Sequence, residues 1–253
     1  MIKFALTVSL VTTLLMSATA IAQDISALDK QNVRLLRADA LSALQDGDRK
    51  SAIASADEMV KIDPDTPRTT RQAADIYLRA GKAKWAARLF DRYLESEPDA
   101  KPELWQRGIA LYFTKDYKTA AEQFEVHRKV NPNDVENAAW HFLCVAKNES
   151  FEKAQENILP APGDPRKPMK EVLNMLKTGD TDAVNETVNG TKVDSKEREM
   201  AAFYGDFYIG LYADAQGEQK KARRLMSRAA EDAPRNYMGD IARVYADFLK
   251  DEL

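Results

Sequence analysis

The chain has 253 residues, of which 44% are hydrophobic and 30% are charged, and its formal net charge is −3. A mildly acidic balance of mixed charges argues against general nucleic-acid binding. The single cysteine, Cys144, excludes an intrachain disulfide, so the stability of the fold depends on packing. The length is sufficient for one sizeable hydrophobic core.

Residues 1–22 have the pattern of a secretory signal peptide. Lys3 gives a positive start, residues 4–16 form an apolar core, and residues 20–22 are a small-x-small cleavage site. The alternative is an uncleaved membrane anchor, but the apolar core is short compared with the roughly 20 residues of a spanning helix. No later segment is apolar enough to cross a bilayer. We therefore expect an exported chain that starts at Gln23 and has no transmembrane segment.

After this leader, prolines and alanines recur at a fixed interval of 34 residues. Such an interval is typical of stacked helix–turn–helix units. Proline ends the second helix of each unit, and alanine lies where the two helices cross closely. The pattern predicts N-terminal repeats over 23–158, in units of about 33–66, 67–100, 101–134 and 135–158. The recurring residues are Pro64, Pro98, Pro132, Ala52, Ala86, Ala120 and Ala154.

The period is lost over residues 159–196. Four prolines at its start predict an extended connector, followed by short helices at 171–177 and 181–188. Residues 197–253 restore the pattern in one further unit and a terminal capping helix. The predicted fold class is all-α, an α-solenoid of helix–turn–helix repeats with an irregular middle segment and a C-terminal capping helix.

The repeat resembles the tetratricopeptide family, which has small residues at positions 8 and 20, a large apolar residue at 24 and proline near 32. The third unit carries this pattern best, with Gly108, Ala120, Phe124 and Pro132. The resemblance implies a concave groove, lined by the first helix of each unit, that binds peptide segments or protein partners.

The family's groove positions, carried over to this chain, give an arginine-rich end and an aromatic end. Arginine pairs with carboxylates bidentately and aromatic rings anchor side chains, which favours a peptide with an acidic group or a free C-terminus. The alternative is that the arginines solvate a helix face and the tryptophans pack between units. The partner-binding residues implied are Arg34, Arg37, Arg68, Arg71, Arg79, Trp105, Tyr112, Trp140 and Lys147, beside Asp75, Ile109, Phe113 and Leu143.

The sequence offers little for catalysis or for metal binding. It has two histidines, His127 and His141, and His141 lies three residues from Cys144, a spacing that two metal ligands on a helix can have. No second pair of ligands follows, and we interpret Cys144 as a buried core residue. No phosphate loop, nucleophile elbow or metalloprotease motif is present. We predict no catalytic residues, no metal and no cofactor.

A closer resemblance covers the chain from about Glu103 onward. The runs at 107–117 and 131–143, and the later run at 203–212, are similar to the NlpI-type periplasmic lipoproteins. That resemblance implies a non-enzymatic scaffold of the bacterial envelope that docks peptidoglycan hydrolases and a periplasmic protease and tends to form a homodimer. A lipoprotein needs cysteine directly after its signal, and this chain has Gln23, so lipid anchoring is not implied.

These observations predict an exported scaffold that captures protein segments in its groove, in the bacterial periplasm or as a secreted protein. Two alternatives stay open. Residues 250–253 spell the retention signal of the endoplasmic reticulum, and glycosylation sequons begin at Asn148, Asn185 and Asn189, as in a co-chaperone of that lumen. A cell-wall enzyme that uses groove carboxylates is the other alternative.

Overall fold

Helix is the only regular secondary structure in the computed structural model, which describes residues 27–251. The predicted signal peptide at 1–22 and the last two residues, Glu252 and Leu253, lie outside the described residues. The prediction of an all-α fold is confirmed. No helix within 27–251 combines the length and the apolar character needed to cross a membrane.

The helices follow one another with short connections. They are α1 (27–45), α2 (Arg49–Ile62), α3 (Pro67–Arg79), α4 (Ala83–Ser96), a 3₁₀ helix (Pro98–Glu103), α5 (Trp105–Phe113), α6 (Tyr117–His127), α7 (Val135–Asn148), α8 (Phe151–Glu156), α9 (Met169–Thr178), α10 (Thr181–Asn189), α11 (Lys196–Ala215), α12 (Gln219–Glu231) and α13 (Tyr237–Asp251).

The turns between paired helices repeat the same backbone geometry four times. Gly47, Gly81 and Gly217 have φ near +80°, and Lys115 takes the equivalent place with φ 65°. In each turn this residue and the next donate backbone hydrogen bonds to the last turn of the preceding helix, as Gly81 does to Leu78 at 3.0 Å. This pattern satisfies carbonyl groups that the helix end leaves unpaired.

Small residues allow the two helices of a unit to approach each other. A Cβ atom added to Gly108 would lie 2.6 Å from the ring of Phe124 on the partner helix. The five alanines at position 20, from Ala52 to Ala222, are at most 1% exposed. The pairing of a small residue with a large one therefore sets the close packing within each unit.

The connector after α8 is held against the start of α7 by one arginine. The Arg166 guanidinium lies 2.6 Å from Asp164 and 2.8 Å from Asp134, and it also pairs with Glu136. After this connector, α9 and α10 form a shorter helix pair, and α9 packs against both α7 and α11. The two short helices predicted for this region are confirmed.

The last helix, α13, packs against α12 as a capping helix does, and it also contacts the first helices of earlier units. The ring centroid of Tyr245 lies 5.5 Å from that of Tyr112, 5.7 Å from that of Trp140 and 6.2 Å from that of Phe207. These rings come from α5, α7 and α11. The chain therefore covers part of its own inner face. Ion pairs between Arg49 and Asp247, at 2.7 Å, and between Arg79 and Asp240, at 2.8 Å, join α13 to α2 and α3.

Candidate functional site

The aromatic end of the predicted groove is closed in the structure. Tyr112 is 0% exposed and Trp140 is 2% exposed, because α13 lies over them. Ile109, Phe113 and Leu143 are buried as well. The expectation that this end is an open surface for a partner is wrong. The physical reason is that α13 carries an apolar face of its own, and burying a large side chain stabilises the fold by about 1.5–3 kcal/mol.

Lys147 also pairs with a residue of this chain and is not a free cation of an open groove. Its ammonium lies 2.7 Å from the carboxylate of Asp214, which is completely buried. Tyr112 and Tyr245 donate hydroxyl hydrogen bonds to the same carboxylate at 2.7 and 2.6 Å. Burial raises the pKa of both phenols well above the usual value, so each remains a donor. Buried charge is tolerated where it is paired and hydrogen-bonded, and this network meets both conditions.

Arg79 and Trp105 mark the boundary between the closed end and the rest of the inner face. The Arg79 guanidinium pairs with Asp240 at 2.8 Å and approaches Asp75 at 3.8 Å. Trp105 is partly buried, and its ring lies 4.8 Å from that of Tyr237 in an edge-on arrangement. Both predicted groove residues therefore contact residues of α13. Neither forms a free surface of its own.

The arginine-rich end is open. Arg37 from α1 and Arg68 and Arg71 from α3 line a cavity of about 670 Å³. Within residues 27–251, none of these three guanidinium groups forms an ion pair with a carboxylate. Arg34 lies on α1, exposed, and does not line this cavity. The structure thus brings together three of the five predicted arginines, and we call their cavity the arginine cleft.

The walls of the arginine cleft are partly aromatic and come from distant parts of the chain. Phe90 and Tyr93 from α4 and Tyr237 from α13 line it, and the Arg71 guanidinium lies 5.6 Å from the centre of the Tyr93 ring. The side-chain oxygen of Gln106, another lining residue, is buried and has no hydrogen-bond partner among the described residues. Sequence reasoning missed these four residues. Tyr93 and Tyr237 carry no local signal that places them beside an arginine 20 or more positions away.

Two carboxylates, Asp75 and Glu97, share the cleft with the arginines. Burial raises the pKa of Asp75 above its usual value, and the neighbouring positive charges of Arg79, Arg37 and Arg71 oppose that rise. The lining has three arginines and two carboxylates, so the cleft presents an excess of positive charge. An anionic group is the ligand that this arrangement favours.

The histidines and the cysteine lie in packed positions. Cys144 is completely buried, which confirms the interpretation of this residue, and burial raises the pKa of its thiol. A ring nitrogen of His141 lies 3.3 Å from Glu125, and His127 contacts the carbonyl of Pro102 at 2.7 Å. In the part of the chain that the structure describes, no group of three or more His, Cys, Asp or Glu residues is placed to hold a metal ion.

Comparison with known proteins supports the repeat assignment. The family model of the tetratricopeptide repeat matches residues 43–107. This range contains α2, α3 and α4, and it includes Arg68 and Arg71. The predicted resemblance to tetratricopeptide repeats is therefore confirmed over this range, and repeats of this kind are typical of protein-binding scaffolds. The specific likeness to NlpI-type lipoproteins stays a prediction.

Structural comparison also matches this chain with a solved structure. It is the crystal structure of a tetratricopeptide repeat protein from Parabacteroides merdae ATCC 43184, with 14% sequence identity and a TM-score of 0.45. The match covers 87% of this chain and 99% of that one.

Proposed function

We propose that this protein is a non-enzymatic scaffold that binds an acidic segment of a partner protein in the arginine cleft. The observation that carries the proposal is the presence of three arginines, Arg37, Arg68 and Arg71, around one cavity without carboxylate partners in the described part of the chain. Some other arginines of the same units are paired, as Arg92 is with Asp65 at 2.8 Å. The cleft is therefore the place where an external carboxylate gains most.

The chemistry of the cleft favours a carboxylate over a neutral group. A guanidinium presents a planar fork of donors that fits two carboxylate oxygens, and hydrogen bonds to charged groups contribute about 1.5–3 kcal/mol. The aromatic walls, Phe90 and Tyr93, offer apolar contact to the rest of the segment. The cleft is a preformed cavity on packed helices, so binding orders few groups.

The experiment compares binding of a short acidic peptide to the wild type and to a charge-reversed variant. Arg37→Glu with Arg71→Glu should weaken binding by about tenfold or more, since each lost charged hydrogen bond exceeds the 1.4 kcal/mol that corresponds to a factor of ten. Isothermal titration with the peptide, its C-terminally amidated form and a serine-for-glutamate form identifies which carboxylate is bound.

The matched control makes the same change in charge elsewhere. Arg88 and Arg224 are exposed and lie outside the cleft, so Arg88→Glu with Arg224→Glu should bind the peptide like the wild type. Equal weakening in both double variants would mean that only the overall charge matters, and the cleft would have no special role. Unchanged binding in the cleft variant would reduce its arginines to a solvated helix face.

The proposal includes export to the bacterial envelope, where the partners are peptidoglycan hydrolases or a periplasmic protease and the scaffold forms a homodimer. The signal-like pattern of residues 1–22 and the resemblance to NlpI-type proteins support it. Mass spectrometry of the protein from its native cells should find Gln23 as the first residue. A chain that keeps Met1 in the cytoplasmic fraction would contradict export.

The non-enzymatic part of the proposal has its own test. Purified protein incubated with peptidoglycan fragments should release no products. Turnover that disappears after substitution of Asp75 or Glu97, the two carboxylates of the cleft, would replace the scaffold with a cell-wall enzyme.

A further inference from the structure

A second cavity, of about 290 Å³, lies between α5, α7 and the start of α13. Four aromatic residues line it, Trp105, Phe124, Trp140 and Tyr237, together with polar residues that include Asp134 and Glu136, two of the carboxylates that pair with Arg166. Phe124 and Trp140 stack with an angle of 18° between their ring planes. We call this space the aromatic cavity.

Two polar groups in the wall of the aromatic cavity are left without partners. Asn137 donates from its side-chain nitrogen to the Phe124 carbonyl at 3.0 Å, which leaves its side-chain oxygen as an acceptor with no partner in the described part of the chain. The ring N–H of Trp140 is an unpaired donor in the same sense. These side chains are 4% and 2% exposed. Buried polar groups are normally hydrogen-bonded, so this pair needs an explanation.

The aromatic cavity adjoins the arginine cleft. Tyr237 lines both, and the consecutive residues Trp105 and Gln106 line one each. A segment whose carboxylate lies in the cleft therefore has neighbouring side chains within reach of the aromatic cavity, since an extended chain advances about 3.3 Å per residue.

We infer that the aromatic cavity binds a carboxamide side chain, from Asn or Gln, within one or two residues of the acidic group held by the cleft. A carboxamide is planar and neutral, and it offers the oxygen that Trp140 needs and the N–H that Asn137 needs. A leucine offers neither, and a carboxylate has no donor. This inference rests on the proposed function, because it names a second determinant of the same bound segment.

The experiment uses the full chain and two pairs of acidic peptides, with Gln placed one or two residues from the acidic group and Leu at the same place in the matched peptide. At least one Gln peptide should bind about tenfold or more tightly than its Leu counterpart, because a site with buried polar groups rejects a ligand that leaves them unpaired. Trp105 and Trp140 are two of the three tryptophans, so a Trp85→Phe background makes fluorescence report mainly on the aromatic cavity.

Two variants test the position of the subsite. Trp140→Phe removes the ring N–H and should bring the Gln-to-Leu affinity ratio close to one. Asn131 lines the cavity and is exposed, so Asn131→Trp should obstruct the mouth without entering the core. Asn131→Trp tests the subsite if Trp140→Phe does not fold. Val130→Trp, at the exposed neighbouring residue outside the lining, is the matched control and should keep the ratio.

The outcomes separate this inference from the proposed function. Equal affinity for the Gln and Leu peptides in both pairs overturns the carboxamide subsite. If the Arg37→Glu, Arg71→Glu variant still binds these peptides more weakly than the wild type, the proposed function of the arginine cleft stands. If neither the cleft variant nor the cavity variants change peptide binding, both the proposed function and this inference are overturned. A tryptophan response to N-acetylglucosamine, without competition from the peptide, would place a sugar acetamido group in the cavity and would also overturn the inference.

Discussion

The two ends of the inner face use equivalent repeat positions and have opposite roles. At the arginine end, Arg37, Arg68 and Arg71 surround a cavity of about 670 Å³. At the aromatic end, Tyr112 and Trp140 are core residues under α13. The difference teaches that a groove position in a solenoid stays open to a partner only where no other part of the chain packs on it.

Removing the main anchor of α13 should have the largest effect on this contrast. Tyr245 is completely buried and hydrogen-bonded to Asp214 at 2.6 Å. Tyr245→Ala should lower the free energy of unfolding by about 3–5 kcal/mol, the usual cost of truncating a buried aromatic residue. Urea denaturation measures it, with Tyr93→Ala at the partly exposed wall of the cleft as a control that loses less. A loss below about 1 kcal/mol would mean that α13 is not part of the core.

Two arginines on the same helix, α3, give a sharper comparison of the two ends. Arg79 pairs with the buried Asp240 and is 12% exposed. Arg79→Met should cost about 2 kcal/mol, less than the roughly 3–5 kcal/mol of a fully unpaired buried charge, because Arg243 still pairs with Asp240 at 3.1 Å. Arg71 lies over the Tyr93 ring and forms no ion pair within residues 27–251, so Arg71→Met should cost about 1 kcal/mol or less. Chemical denaturation of both variants gives the comparison. Similar losses would contradict the division of the inner face.

A smaller effect concerns pH at the closed end. Burial lowers the pKa of His141 below its usual 6.5, and the hydrogen bond to Glu125 opposes this shift. Just below pH 6.5 the unfolded chain therefore binds a proton that the folded chain does not, so stability is lost as pH falls through this range. The wild type should lose more unfolding free energy between pH 7.5 and 5.5 than His141→Gln does. A steeper loss in the variant would reverse the sign and contradict the burial effect.

The smallest perturbation uses thiol reactivity and leaves the fold unchanged. Cys144 is buried at the closed end, and its raised pKa keeps it a thiol, so a thiol reagent should modify it only after unfolding. A cysteine introduced by Arg68→Cys, at an exposed residue of the cleft, should react in the folded protein. Rapid modification of Cys144 in the native wild type would show that the closed end opens readily.

The helix pairs were predictable because their determinants are local. Gly108 and Phe124 belong to one unit, and a Cβ on Gly108 would clash with that ring at 2.6 Å. Gly81 occurs at a turn that needs φ of +84°, a conformation that glycine adopts without strain. Each of these requirements involves residues within one helix–turn–helix unit, so the amino-acid pattern reports it directly.

The candidate site was predictable only in part. Arg37, Arg68 and Arg71 were expected on the inner face and do line the cleft. The expectation of an open aromatic end was wrong for Tyr112 and Trp140, and the same helix brings Tyr237 into the cleft. No sequence pattern between residues 105 and 147 predicts that these residues are covered by α13, a helix that begins 90 positions later.

By itself, the amino-acid sequence determined the stride of the repeats, the residues that cross within each pair and the side of each first helix that faces inward. These depend on steric fit and backbone conformation over short separations. Only the tertiary structure decided which inward positions remain open, because Tyr245 and Asp240 reach Tyr112 and Arg79 across more than 130 residues. Contacts over such sequence separations depend on how the stacked units curve, and on the apolar area that α13 buries when it packs against the inner face.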